Sequence, residues 1–503
     1  MSFASYGFLF VFLPVALAGY WLVARWGPAA AMGWLIVCSL AFYGADHVPF
    51  LLLSIAANAL LGLWIAQTDA RPRAQTAILS AGIALNLIGM AVGRSLDVPL
   101  PGISFIAFTQ IGYLLDQRGN FTLPVMAGRV LATSNGTIQR LRAGIGPRDK
   151  PRDNEDDRPS RDEKFTPLYM TYPLMAVFFP HLIAGPILRL RDVEAQFADP
   201  NTWRFRGENL AAGGFILLIG LLKKTLLANP LSVIVTPGFA DPGALGMLDA
   251  WMAAVGWSFQ LYFDFSGYSD MAIGLGRMFG VRLPENFASP YKAQSVIDYW
   301  QRWHITLTHF LMSTVFNPLT LAVMRWRRAR GKGTNAAAQR RLDGFCQMLL
   351  APLTVTMALA GVWHGTGWNY VAFGLLHAAF LGANHAWRLF RPGPRSGRWH
   401  AVLGRVALTY LCVLVGAAVF RSPTLNGAWS LLAGAHAGIS TDPHVRLHAA
   451  WLFCLAAIVW GMPNTRQIVT HARGWQPTVP WAVAAGCAAT LGLLSLGGTH
   501  EFV

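Results

Sequence analysis

Residues 258–309 read SFQLYFDFSGYSDMAIGLGRMFGVRLPENFASPYKAQSVIDYWQRWHITLTH, an apolar and aromatic run that carries ionisable groups in its middle. Asp264 and Asp270 stand among phenylalanine, tyrosine and methionine neighbours. Ser266, Gly267, Ser269, Gly274 and Gly276 would let a second helix approach closely, as small residues do inside membranes. After Pro284 the pattern turns amphipathic and passes Trp300 and Trp303 to reach His304. Such a segment could re-enter a membrane or lie along its surface. Ionisable groups are costly within a bilayer, so those that persist there are functional candidates.

The rest of the chain makes the bilayer its solvent. Of 503 residues, 54% are hydrophobic and 13% charged, with a mean hydropathy of +0.40. Soluble domains carry about 25% charged residues. Apolar windows that suit helical spans recur at Phe8–Val23, Ala30–Tyr43, Pro49–Ile65, Thr76–Val92 and Pro101–Leu115. They continue at Leu168–Leu188, Leu210–Val235, Leu248–Phe265, Ile305–Met324, Met348–Trp363 and Trp368–Trp387, then Val402–Val419, His448–Trp460 and Trp481–Leu496. Several are short or interrupted, so the expectation is an all-α polytopic membrane protein of roughly 11 to 13 embedded helices. The whole of 1–503 reads as one membrane domain. The first window lacks a basic flank and a small-residue cleavage site, so it reads as a retained helix.

The net charge of +16 points away from nucleic acid, because the basic residues cluster in loops between apolar windows. Residues 117–166 hold ten Arg or Lys and seven Asp or Glu in a polar, aperiodic run, which predicts a disordered cytoplasmic loop. Arg325–Arg341 adds seven basic residues and no acid. Trp387–Arg405 adds Arg388, Arg391, Arg395, Arg398 and Arg405. Both are placed in the cytoplasm by the same rule. A basic loop also suits the phosphates of an acyl donor, although anionic lipid headgroups account for the same charges. The five cysteines lie scattered in apolar segments, without metal-ligand or disulfide spacing.

A second stretch, Leu359–His377, reads LAGVWHGTGWNYVAFGLLH. His364 lies between Trp363 and Gly365, and glycine permits close approach of backbone or ligand. Burial in an apolar medium disfavours imidazolium, leaving one ring nitrogen free to accept a proton. A hydroxyl that attacks a thioester needs such a base. The flanking Trp and Gly would shape a narrow slot that excludes water. A histidine in an apolar helix can equally serve by hydrogen-bonding a neighbour, and the residues alone leave both readings open for His364 and His304. His377 is the weaker candidate, since one unbroken helix would put it about 20 Å from His364.

Taken together, YFDFSGYSDMAIGLGRMFGVRLPENFASPY and WQRWHITLT resemble the membrane-bound O-acyltransferase family, in particular its bacterial alginate O-acetylation branch. FLFVFLP at Phe8–Pro14, GISF at Gly102–Phe105, FFPHLIAGPILR at Phe178–Arg189, GVWHGTGWNYVAFGLLHA at Gly361–Ala378 and a terminal THEF follow in the family's order. The resemblance implies a helical fold around a transmembrane tunnel. It implies that His364 is the essential histidine at the constriction, and that His304 assists it or shapes the site. It further implies acetyl-CoA as cytoplasmic donor, no permanently bound cofactor, and a periplasmic or membrane-anchored acetyltransferase partner that finishes acetylation of a glycan acceptor. The expected location is the bacterial inner membrane.

Two features depart from the pattern. Where relatives carry RDYLYIPLGG, this chain has MSTVFNPLTL at Met312–Leu321, so Met312 and Ser313 replace an Arg-Asp pair. The charged loop after Gly112–Asp116 is longer than usual for the family. Depth poses a further question, because a straight Ile305–Met324 helix would span about 30 Å and carry His304 to a surface. Pro318 after Asn317 predicts an interruption that leaves His304 in the interior. Alternative functions are D-alanyl transfer or peptidoglycan O-acylation by the same fold, a transporter without chemistry, and a scaffold for another enzyme. Asp264, Asp270 and Asn286 read as parts of a supporting polar network, and Trp300, Trp303 and Trp363 as lining or packing residues.

Overall fold

The long apolar stretch becomes one unbroken helix, Met247–Met278, of 32 residues. Its glycines set the packing of the bundle. A Cβ on Gly213 would lie 2.6 Å from the Gly274 carbonyl oxygen, and one on Gly220 would lie 2.5 Å from that of Gly267. The Gly207–Leu222 helix therefore lies backbone against backbone on Met247–Met278, running antiparallel to it. Without a hydrophobic driving force between helices in lipid, such close packing supplies the attraction.

At the end of that contact the chain passes through a π-helical turn, Lys223–Ala228. Lys223 Nζ meets Asp270 Oδ2 at 2.5 Å and Lys224 Nζ meets Asp264 Oδ1 at 2.7 Å. Thr465 donates a further hydrogen bond of 2.6 Å to Asp270. The two aspartates that stand out in the sequence thus each face a lysine, which is how buried charge is tolerated.

The computed structural model describes residues 2–68, 71–95, 101–118, 168–365, 367–391, 396–434, 440, 444–470 and 478–497. The predicted loop lies outside the described residues except for 117–118, where the Ile103–Gln117 helix ends. The terminal THEF and Arg395 lie outside them as well. Among the described residues there is no extended sheet, and seven helices are long and apolar enough to cross a membrane. Pro28–Tyr43, Val445–Gly461 and Ala485–Leu494 are shorter apolar helices. The window Leu168–Leu188 is not one span: it divides into Leu168–Val177, Phe179–Leu182 and an extended return to Arg189.

Helix ends sort onto two faces. Hydrogen bonds from Tyr20 to the Phe279 carbonyl (2.8 Å), Arg118 to Thr76 (3.0 Å), Gln196 to the Arg282 carbonyl (3.0 Å) and Arg466 to Glu285 (2.8 Å) tie together one face, rich in arginine. Tyr6 to the Leu493 carbonyl (2.7 Å), Tyr43 to the Pro101 carbonyl (2.9 Å) and Asn369 to the Phe420 carbonyl (3.0 Å) tie together the other. Trp26 and Trp399 are exposed at the basic face, Trp368 and Trp429 at the opposite one. Tryptophans at both levels form the belts expected at membrane–water boundaries.

Pro318 does not break its helix. Ile305–Leu311 continues through a π turn at Met312–Phe316 into Asn317–Ala329, and the wider π turn just before Pro318 accommodates its ring and its missing N–H. The interior depth of His304 comes instead from a turn at His304 itself, with φ 42° and ψ 55°, from which the helix starts. The helix runs on to a basic end, Arg325–Ala329, in which Arg327 is buried against Gln347 and Asp343. Ser313 lies 3.4 Å from Arg189 Nη1, and Arg189 also pairs with Asp116. An arginine–aspartate pair thus stands beside the altered segment, drawn from two other elements.

Candidate active site

After Pro284 the chain folds back into the protein rather than along its surface. Asn286 is 1% and His304 2% exposed. His304 occupies the left-handed region, uncommon for a residue with a Cβ, and is one of two non-glycine residues with positive φ among the described residues. Such geometry persists where surrounding bonds impose it. Here Asn286 imposes it from both its backbone and its side chain. The Ile305 N–H donates to the Asn286 carbonyl (3.0 Å), and Asn286 Oδ1 accepts from the Thr306 N–H (3.3 Å) and hydroxyl (2.9 Å).

Because a backbone N–H can only donate, the atom it meets is the amide oxygen, which settles the orientation of Asn286. The same oxygen lies 3.0 Å from His304 Nδ1, so Nδ1 carries the proton. That leaves Nε2 as an acceptor, buried and without a hydrogen-bond partner among the described residues. Asn286 in turn donates to Ser269 (3.1 Å), and the Ile187 N–H donates to the Thr306 hydroxyl (3.0 Å). Ring position and tautomer are both fixed.

His364 is the last residue of the Ala351–His364 helix, half-buried, and makes no hydrogen bond among the described residues. The turn that follows is tight because it has to be glycine: a Cβ on Gly365 would lie 2.2 Å from the Tyr370 ring. Trp363, Phe420 and Phe373 surround the imidazole at centroid distances of 4.4, 4.8 and 6.1 Å. The Trp363 indole also lies 6.4 Å from His304. Both histidines therefore border one indole. Phe265 meets His304 edge-on at 4.7 Å and Phe105 lies over it at 6.3 Å.

His377 lies closer than the unbroken-helix spacing suggests, because the helix stops at His364 and a new one starts at Trp368. Phe373 touches both rings, at 6.1 Å from His364 and 4.7 Å from His377. Even so, His377 is occupied. It accepts from Trp300 Nε1 at 3.3 Å, and a Cβ on Gly416 would lie 2.4 Å from its Nε2. Its place is in the packing.

One contributor escapes sequence reasoning altogether. Arg94 closes the Pro72–Ser95 helix and donates to the Trp363 carbonyl (2.5 Å) and to Ser104 (2.7 Å). A helix C-terminus leaves carbonyls unpaired and favours a cation. Arg94 supplies both needs beside His364, from 270 positions away. Only the arginine's place at the end of an apolar helix hinted at a partner in the sequence.

Truncating Asn286 tests the fixed tautomer. Asn286→Ala should lower turnover by about 100-fold, because the supporting bond that selects the ring form is lost. The Michaelis constant for the donor should change little. Single-turnover kinetics on the purified protein check this, and an unchanged rate would mean that Nδ1 protonation is immaterial.

A model of the MBOAT, membrane-bound O-acyltransferase family, matches residues 162–334, which include His304 and end before His364. The chain is 32% identical to a peptidoglycan O-acetyltransferase of Helicobacter pylori, over 85% of this chain and 78% of that protein. It is 31% identical to a probable alginate O-acetylase of Azotobacter vinelandii, over 86% and 77%. A teichoic acid D-alanyltransferase of Streptococcus thermophilus is 26% identical over 50% of this chain and 61% of its own length.

Proposed function

Since this chain belongs to the membrane-bound O-acyltransferase family, we propose that it moves acetyl groups from acetyl-CoA on its basic face to a secreted glycan on the opposite face, with His364 at the transfer point. It is a multi-pass membrane protein and an O-acyltransferase. On this reading the basic face is cytoplasmic, as the positive-inside rule has it, and the membrane is taken to be the bacterial inner membrane.

The observation that carries this reading is the meeting of two imidazoles around Trp363, the half-buried His364 and the buried His304, the latter fixed with an unpartnered Nε2. His364 acts as general base: it takes the proton of an acceptor hydroxyl as the oxygen attacks the thioester carbonyl. The carbon–sulfur bond breaks as the carbon–oxygen bond forms, and the imidazolium returns its proton to the departing thiolate. His304, through Nε2, holds the donor or the acceptor in line. The aromatic collar keeps water, the competing nucleophile, away from the thioester. Arg94 holds the helix end that carries His364. The acceptor hydroxyl belongs either to the glycan itself or to a periplasmic or membrane-anchored acetyltransferase partner that relays the group.

Mass analysis of secreted polysaccharides, with and without the gene, tests the cargo. Acetylated sugars should disappear on deletion and return with the wild-type chain. The alternative acceptor is peptidoglycan, a reading favoured by the similarity to the Helicobacter pylori protein. Loss of acetyl groups from muropeptides alone would select it. D-alanyl transfer draws on a similarity confined to half the chain. Loss of alanyl esters with acetylation intact would favour that cargo instead.

A further inference from the structure

Acyl transfer puts negative charge on the carbonyl oxygen, and neither imidazole can meet it. As a hydroxyl attacks the thioester, the carbonyl π pair moves onto oxygen before it returns to expel the thiolate. Preorganised hydrogen-bond donors stabilise such an oxygen. His304 has its one N–H on Asn286, and its Nε2 can only accept. His364 must lack a proton at the reacting nitrogen if it is to act as base. Polar groups close by are turned elsewhere: Arg94 to the Trp363 carbonyl and Ser104, the Asn286 amide to Ser269, and the Thr306 hydroxyl to Asn286.

Trp363 is the exception. Its indole Nε1 is a buried donor with no acceptor among the described residues. Trp34, Trp203, Trp257, Trp300 and Trp460 each place the same N–H on an acceptor, as buried indoles normally do. Trp21 and Trp451 also lack a partner, but neither ring contacts an imidazole among the described residues. The Trp363 ring lies 4.4 Å from His364 and 6.4 Å from His304. Phe108 at 5.3 Å and Phe105 at 6.3 Å pack against it, and Arg94 holds its backbone carbonyl at 2.5 Å. A donor fixed before the substrate arrives needs no reorganisation during the reaction.

We propose that Trp363 is a catalytic residue whose indole N–H donates to the acyl carbonyl oxygen, a bond that strengthens as the oxygen takes up charge. This rests on the acyl transfer proposed above and gives Trp363 a role beyond lining the site. The indole keeps its proton throughout, while His364 takes the hydroxyl proton and returns it to the thiolate.

The test uses the full-length protein in nanodiscs, with 3-benzothienylalanine installed in place of Trp363 by codon suppression. Sulfur then replaces the N–H, while the bicyclic shape and apolar area are kept. The kcat for transfer from acetyl-CoA should fall about 10²–10³-fold, the usual loss for one such donor, with KM within a few-fold of wild type. 5-Fluorotryptophan at the same position keeps the N–H and should keep kcat within a few-fold. With a ketone analogue of acetyl-CoA, in which methylene replaces the sulfur, the carbonyl stretch should lie at lower wavenumber on the wild-type protein than on the benzothienyl variant. A packing role would move neither kcat nor the band, because the ring shape is preserved. Unaltered kcat in a variant with the wild-type elution profile, or the same band position in both proteins, overturns the proposal. A wild-type protein inert towards acetyl-CoA would count against the donor assigned above. The same comparison with a D-alanyl thioester of a carrier protein would then decide Trp363: a loss of similar size supports it and equal turnover overturns it. Inertness towards both thioesters would remove acyl transfer, and this inference with it.

Discussion

His364→Ala is expected to lower acyl transfer by about 10²–10⁴-fold, the usual contribution of a positioned general base. Expression and membrane insertion should be unaffected, because His364 closes its helix and makes no hydrogen bond among the described residues that folding would lose. His364→Gln should be nearly as inactive, since an amide keeps the polarity and some of the shape but cannot take the proton. The KM for the donor should stay within a few-fold, which distinguishes lost chemistry from lost binding. The assay is acetyl release from acetyl-CoA by purified protein with an acceptor present. Full activity in the alanine variant would remove His364 from the mechanism and leave His304 Nε2 as the candidate base.

The second large effect concerns stability. Asp264→Ala should destabilise the protein by about 3–5 kcal/mol, the range for breaking a buried ion pair by deleting one partner. Asp264 and Lys224 have side-chain exposures of 2% and 9%, so water cannot replace the lost carboxylate. The same substitution leaves an ammonium among apolar side chains in the contact between Gly207–Leu222 and Met247–Met278. Replacing both partners, as Asp264→Leu/Lys224→Met, should recover most of the loss, because the unpaired charge is removed with its partner. Chemical unfolding in mixed micelles measures both. A single variant as stable as wild type would show that Asp264 is not the counter-charge that Lys224 requires.

The sequence exposed much of this architecture because a bilayer is an unforgiving solvent. Asp264, Asp270, His304 and His364 are conspicuous because apolar neighbours surround them; each aspartate turns out to face a lysine, and each histidine to be collared by aromatic rings. Asn286 was legible as polar support, but not as the residue that fixes the His304 tautomer. That role depends on backbone geometry at Ile305 and Thr306, which no spacing encodes. Pro318 misled for a specific reason: proline breaks a helix through a missing N–H and a clash one turn earlier, and a π turn at Met312–Phe316 relieves both. The His364 to His377 spacing misled in the opposite direction, because Gly365 and Gly367 reverse the chain and bring Phe373 between the two rings. Arg94 was hidden by distance, since its partner is a carbonyl and carbonyls have no sequence signature.

Sidedness tests the central claim most directly. Proteoliposomes that enclose acetyl-CoA against the basic face, with an acceptor glycan or partner serine only on the outside, should deliver labelled acetyl groups outward. The same vesicles with His364→Ala should deliver none above background. Outward delivery undiminished in the variant, or equal use of acetyl-CoA supplied to the opposite face, would contradict a single imidazole placed between donor and acceptor.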